Sequence, residues 1–352
     1  ADYARTWATN AVTLDSNGLN FQGNDDTYTV NYETVGQSLN IVFSDSTQGW
    51  LPVSDDAVAL VPVAPPTQRA IFAFGSNVTN ISNLVNSSGV VASDTTGVGT
   101  ARKLLAAATY GGDKVIFAFG EVSGGGRTSL KNLVNNSGTV ASDVTGVGTE
   151  RKYPKAAKFG SSGQAIFAFG NDASSADSVS MSNLVNNVGT VGSDVTGVGT
   201  ARQAMGCCGF GGDKAIFGFG SAPTTGITNL VSNTGVVASD VAAVGTARNY
   251  LAALTYGSDK GIFAGGYVGS DVVTNTRNLV SNTGVISSNA TGSFDRQNYS
   301  GSNYGGNLGI FAFGNSTNIR NLVNSSGVMA ADATGAGTAR YGGAMAGYSF
   351  SA

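Results

Sequence analysis

Six short apolar runs, each interleaving aliphatic and aromatic residues with small ones and ending in glycine, recur along this chain at intervals of about 50 residues. They are AIFAFG (70–75), VIFAFG (115–120), AIFAFG (165–170), AIFGFG (215–220), GIFAGG (261–266) and GIFAFG (309–314). A second landmark follows each run, Asn-Leu-Val and then a glycine turn: NLVNSSG, NLVNNSG, NLVNNVG, NLVSNTG, NLVSNTG and NLVNSSG. A third is a polar stretch that ends in arginine, at Arg102, Arg151, Arg202, Arg248, Arg296 and Arg340. Self-similarity at this period is the signature of a stacked or circular repeat architecture.

The unit 101–151 shows what one copy encodes. LLAAATY is a small-residue apolar strand, Gly-Gly-Asp a tight turn, and VIFAFG a second strand; a short glycine turn between apolar runs predicts a hairpin. After a polar loop, NLVNN predicts a third strand and TVASDVTG a fourth, and GVGTER crosses to the next copy. Four antiparallel strands in about 50 residues predict one blade of a β-propeller. The ends of the chain fit a ring. The first copy starts at its second strand, near Arg69, and the chain finishes with ARYGGAMAGYSFSA (339–352), a first strand lacking a second. The C-terminal strand is therefore expected to complete the first blade and to remove an exposed edge. The expected fold is all-β: a six-bladed propeller over 69–352, preceded by a small β-module over 1–58 and a proline-rich linker over 59–68. Phe pairs such as Phe72 and Phe74, spaced two apart, are expected to share one strand face in the core between blades.

Composition narrows the chemistry. The 352 residues include 51 glycines and no histidine. The missing imidazole excludes Ser-His-Asp and Cys-His catalysis and His-ligated zinc or copper. Residues 1–66 hold eight acidic residues and one basic, near −7, whereas the remaining 18 basic and 14 acidic residues give about +4. Neither part has a Lys/Arg cluster, so no nucleic-acid partner is expected. No apolar run reaches the length of a membrane span. No secretory signal pattern opens the chain, whose first residue is Ala. The adjacent Cys207 and Cys208 are expected to be small buried thiols rather than a strained vicinal disulfide. The Ser-Asp-x-Thr-Gly stretches at Asp94, Asp143 and Asp194, matched by Asp240, Asn289 and Asp332, read as a repeated turn, with too few local oxygens for calcium. Neither a metal nor a cofactor is expected. The six arginines, one per copy, are expected to tie strand ends together by hydrogen bonds to loop carbonyls or to an Asp.

Variation within the repeat marks where binding is expected. The segment between the second and third strands changes in length and content: 76–82, 121–131, 171–182, 221–228, 267–277 and 315–320. Such loops project from one face, and loops on rigid scaffolds commonly carry recognition. The candidate binding residues are Arg127, Asp172, Asp177, Tyr267, Asp271, Arg277 and Arg320. Carboxylates outside the repeated turn, Glu121, Glu150, Asp172, Asp177 and Asp271, form no evident acid–base pair of the kind glycoside hydrolysis needs.

The order of arginine, small apolar strand, Gly-Gly-Asp turn, and aromatic strand ending in glycine resembles the kelch repeat over 69–352. It departs from it in two ways. The kelch double glycine survives only at Gly265-Gly266, and no copy has the fourth-strand Trp, since Trp7 and Trp50 lie outside the repeats. The N-terminal TYTVNYETVGQSLNIVFSDSTQGWLPVS, with strands at 28–32 and 39–43 and Ser-Thr-Gln-Gly-Trp at 46–50, resembles a short β-module of bacteriophage virion appendage proteins. Together these resemblances imply a non-enzymatic virion structural protein, a tail fibre or adhesin on the virion surface. Its N-terminal module would join other virion proteins in a homo-oligomer, a trimer by family likeness, and its loops would contact a host glycan or protein. A decoration protein without receptor binding and a polysaccharide-degrading tailspike-type enzyme are the alternatives.

Overall fold

The computed structural model describes residues 2, 4–24, 30–54, 67–173, 178–269, 272–292 and 295–350. The chain divides into two compact units, Ala1–Pro65 and Pro66–Ala352. Both are built of β-strands, and the described residues contain no α-helix.

In the first unit Val12–Leu14 pairs antiparallel with Val30–Tyr32, and Asn40–Phe43 pairs with Trp50–Ser54. The polar turn between the latter two strands is set by Asp45, whose Oδ1 accepts the N–H groups of Thr47 and Gln48 at 2.8 and 2.7 Å. Gly49 ends that turn at φ +67°, and a Cβ there would lie 1.7 Å from the Asn20 carbonyl oxygen. Trp50 therefore opens a strand, its ring edge-on to Phe43 at 5.5 Å.

In the second unit each repeat forms a small antiparallel sheet. Repeat two is typical: Ala106–Tyr110 pairs with Lys114–Ala118, which pairs with Lys131–Val134. Repeats three to six follow suit, with first strands Lys155–Phe159, Gly206–Phe210, Ala252–Tyr256 and Ser300–Tyr304. Repeat one takes its first strand from the other end of the chain. Ala344–Phe350 pairs with Thr67–Gly75, running from Ala344↔Ala73 to Phe350↔Thr67. That register draws Thr67 and Gln68, expected in the linker, into the strand. The rest of the expected linker lies outside the described residues.

The fourth segment differs from the expectation. In most copies it touches the third strand through isolated bridges only, as at Val134↔Val140 and Lys131↔Val144, and short strands form only at Ala290–Thr291 and Ala333–Thr334. The bridges span three steps on one side and four on the other, so one residue bulges out. The landmark asparagine fills the gap: Asn132 Nδ2 donates to the Ala141 carbonyl (3.0 Å) and to Asp143 Oδ1 (2.9 Å).

Hydrogen bonds link each repeat to the next, and the series returns to its start. At the hairpin turns Gly111 N–H donates to Gly163 O, Gly160 to Asp213, Gly211 to Asp259, Gly257 to Asn307, Gly305 to Gln68, and Ser349 to Asp113, all at 2.7–3.0 Å. At the other end of the first strands a second set runs from Leu104 N–H to Gly342 O, Tyr153 to Leu104, Tyr250 to Ala204, Asn298 to Tyr250, and Gly342 to Asn298. The first strands are small-residue strands because they pack side by side in this cyclic order.

The second strand of each repeat breaks its alternation, which corrects the expected placing of the phenylalanines. Phe74, Phe119, Phe169, Phe219 and Phe313 have left-handed φ of 62–66°, so the two phenylalanines of a strand leave on opposite sides. Phe74 packs on Phe117 of repeat two, whereas Phe72 stacks on Phe313 of repeat six. A left-handed phenylalanine is strained by the order of 1 kcal/mol. Here the strain is offset by an aromatic pair with the next repeat (5.4, 5.5, 5.3, 5.2 and 4.1 Å), such pairs contributing about 0.5–1.5 kcal/mol. The fifth copy has Gly265 at this position, with φ 60°. A Cβ there would meet the Arg296 carbonyl oxygen at 2.6 Å and the Tyr299 hydroxyl at 2.7 Å, and Tyr299 of repeat six supplies the ring against Phe311 (5.4 Å). Glycine and tyrosine thus exchange roles across one junction.

Candidate functional site

The six repeated arginines lie at the junctions between repeats, each 0–3% exposed. Arg151 Nε donates to the Phe169 carbonyl (2.9 Å), one terminal nitrogen to the Thr149 carbonyl (3.1 Å) and the other to Asn183 Oδ1 (2.7 Å). Its guanidinium lies 4.0 Å from the Phe119 ring centroid of the preceding repeat. Arg102, Arg202 and Arg340 repeat all four contacts. Arg296 bonds Phe313 O, Ile319 O and Asn321 and faces Tyr299 at 5.4 Å. Burial pushes Arg102, Arg151, Arg202, Arg248 and Arg340 down to about 10, so they remain charged at neutral pH. Arg248 stands apart: Nε and one terminal nitrogen bond Gly265 O and Thr246 O, but its other terminal nitrogen and Asn278 Oδ1 are both unpartnered. The turn aspartates complete the junction. Asp143, Asp194, Asp240 and Asp94 each accept from a threonine of the preceding repeat, Thr100, Thr149, Thr200 and Thr338 respectively.

The residues expected on the loop face divide into groups. Asp177 and Asp271 lie outside the described residues. Arg277 and Arg320 reach across to the turn glycine of the next repeat, donating to Gly327 O (2.8 Å) and Gly89 O (2.6 Å). Lys131 at the matching position donates to Gly189 O (3.0 Å). These cations serve the turn between third and fourth segments rather than the variable loop. Asp172 is buried, paired in register with Arg151. Arg127 clamps the adjoining loop, its guanidinium bonding the Asn171 carbonyl (3.1 Å) and side-chain oxygen.

Tyr267 belongs to a cluster that the loops alone did not reveal. It pairs through backbone hydrogen bonds with Asn249, and its ring lies edge-on to Tyr250 at 6.0 Å; Tyr250 lies edge-on to Tyr153 at 5.6 Å. Tyr153 and Tyr250 occupy the inner ring of left-handed residues, with Leu104, Ala204, Asn298 and Gly342 (φ 51–66°). These residues line a small opening where the first strands begin, the end at which the variable loops also emerge. Lys152 Nζ stands 5.9 Å from the Tyr153 ring centroid. Beside it Glu121 bridges Lys103 (3.2 Å) and Lys152 (2.6 Å). Burial works against the ionised Glu121, but hydrogen bonds from Lys152 and Lys103 outweigh it and hold the carboxyl below its ordinary value. Burial, together with the neighbouring Tyr250, pushes the Tyr153 phenol well above its ordinary value. At neutral pH the site presents the neutral Tyr153 phenol among aromatic rings, an ionised carboxylate fixed between two lysines, and amide and hydroxyl groups. That set suits stacking and hydrogen bonding. The signal for it in the sequence was variation at one column two residues before the first strands (Leu104, Tyr153, Ala204, Tyr250, Asn298, Gly342).

Among the described residues no group of three His, Cys, Asp or Glu side chains comes together, and no helix is long and apolar enough to cross a membrane. No protein-family model matches the chain, and no curated protein matches it.

Proposed function

We propose that the repeats form a six-bladed kelch-like β-propeller and that the chain is a non-enzymatic phage virion protein of the tail-fibre or adhesin type. In this reading the loop end of the propeller contacts a host surface glycan or protein. The N-terminal unit joins other virion proteins as part of a homo-oligomer, preferably a trimer. Support for the propeller comes from the pairing of Ala344–Phe350 with Thr67–Gly75 and from the cyclic hydrogen bonds at the hairpin turns. The observation that carries the binding role is the Tyr153–Tyr250–Tyr267 cluster among polar loops at one end of the first strands. Aromatic rings with a polar tip offer large, rigid contact area at small entropic cost. Glu121, held ionised by two lysines, is poorly suited to donate a proton as a glycosidase acid.

The test is binding of the purified chain to host envelope glycans on an array, alongside Tyr250→Ala. Alanine already stands at this ring position in repeat four, Ala204, so the variant should fold. Retention of envelope glycans that falls about tenfold or more in the variant supports the adhesin reading. Absence of binding by the parent chain overturns it in favour of a decoration protein, and sugar release on incubation would replace it with an enzyme.

A further inference from the structure

The first strands also line a cavity at their opposite end, and Lys155 lies between it and the opening at the loop end. It occupies about 270 Å³ and is walled by residues of all six first strands, with Lys158, Asn303, Gln68 and several threonine and serine hydroxyls among its polar groups. A smaller space of about 50 Å³ lies further along the strands and is lined in part by Lys155, Cys207 and Ser300.

The repeat symmetry makes the lysines conspicuous. At the position of Lys155 the other first strands carry Ala106, Gly206, Ala252, Ser300 and Ala344; at that of Lys158 they carry Thr109, Gly209, Thr255, Asn303 and Gly347. Lys155 and Lys158 are the only charged side chains in the six first strands. A structural role shared by all repeats does not explain residues present in one alone.

Nothing among the described residues balances them. Neither amine forms a hydrogen bond or an ion pair, and no carboxylate lines either space. The carboxylates of the hairpin turns at that end, Asp113, Asp213 and Asp259, are paired with Lys114, Lys214 and Lys260 at 2.7–3.0 Å. Partial enclosure by protein pushes Lys158 below its ordinary value, and Lys155 down to about 8. Lys158 is exposed and Lys155 half-buried, so the cost of leaving them without a counter-charge is partial, and a bound anion relieves it.

We propose that this axial cavity is a binding site for a small oxyanion, held by Lys158 at the wider part and Lys155 beyond it, with the side-chain amides of Asn303 and Gln68 as further donors. The shared chemistry is a compact group of negatively charged oxygens, whether free phosphate or the carboxylate of an acidic sugar. The cavity volume excludes a long polyanion from full enclosure.

Titration calorimetry with inorganic phosphate and, separately, with glucuronate distinguishes the two sources. It is run on the full chain and on the Lys155→Ala/Lys158→Thr double variant, which installs the residues found at these positions in repeats two and five. Saturable binding of either anion by the parent chain, weakened at least tenfold in the variant, supports the proposal. A melting temperature of the anion-free variant equal to or above that of the parent supports it too. Absence of saturable binding of both anions to the parent chain overturns it, and so does binding that the double variant retains. If the variant fails to fold, the parent titration at rising salt decides: an enthalpy for both anions that vanishes by 0.15 M salt marks non-specific attraction and overturns the site.

Discussion

Arg151 and Arg248 occupy equivalent junctions, and the same substitution at each should have unequal effects. Arg151→Met removes four hydrogen bonds, a cation–π contact and the charge beside Asp194, and strands the Phe169 carbonyl and Asn183 Oδ1 in a dry junction. Truncating one partner of a buried, hydrogen-bonded charge typically costs about 3–5 kcal/mol. Arg248→Met forfeits less, because one terminal nitrogen and Asn278 Oδ1 are already unpartnered, and its landmark turn residue is the neutral Asn289. The missing charge-assisted hydrogen bond is worth about 1.5–3 kcal/mol. The expected gap between the variants is of that size, or about 3–5 °C in melting temperature for a unit this large. Differential scanning calorimetry and denaturant midpoints, with Lys114→Met, which removes only a half-exposed ion pair with Asp113, as control, provide the measurement. Equal losses, or a larger loss for Arg248→Met, would refute the view that the Arg–Asn hydrogen bond is what each junction depends on.

Exchange across the fifth junction gives a second prediction: Gly265→Phe should overpack against Tyr299 and cost about 1–3 kcal/mol, whereas adding Tyr299→Leu should restore the usual pattern. A double-mutant cycle should then report a favourable coupling of about 0.5–3 kcal/mol; additive losses would sink the exchange. Acid should weaken the junctions. Burial disfavours the ionised Asp94, Asp143, Asp194 and Asp240, yet hydrogen bonds from Thr and Asn and the adjacent arginine outweigh it and lower their values. Their contribution is thus full above the unfolded value near 3.8 and disappears as pH falls through the lower folded values. Denaturant midpoints should be flat from pH 7 to about 5 and fall steeply below 4, with a shallower fall in Asp143→Asn. Burial raises Cys207 and pushes Cys208 up to about 12; Cys207, expected to be buried, is half-buried and lines the cavity, so a thiol reagent at pH 8 should spare Cys208 in the native chain and label it after unfolding, and rapid native labelling of Cys208 would contradict the packing.

Much of this architecture is written in local sequence, because period, turn glycines and apolar runs are properties of contiguous segments. The all-β character, the six repeats and the pairing of the C-terminal strand with the first repeat follow from them. The recurring arginine was legible as a structural residue, since one copy per repeat signals a shared task. Carbonyl and aspartate partners were expected, as at Thr100 and Asp143; the asparagine was not, because Asn132 meets Arg102 and Asp143 only where the fourth segment bulges beside the third strand. The left-handed turn at Phe74 and its equivalents was hidden as well, since phenylalanine is a residue from which an ordinary extended strand is expected. Only contact with the next repeat offsets that strain. Arg277 and Arg320 read as loop residues and are held by the neighbouring turn, a partner about 50 residues away or at the far end of the chain. Tyr153 and Tyr250, two repeats apart in repeats three and five, and the lysines Lys155 and Lys158 are in sequence no more than single deviations from the small residues of the other repeats. By itself the sequence determined which segments become strands and how often they repeat, through hydrophobic alternation and turn chemistry. The tertiary structure alone decided which side chains meet, because cyclic packing brings the first strands of distant repeats side by side and converts single deviations from the repeat into shared sites.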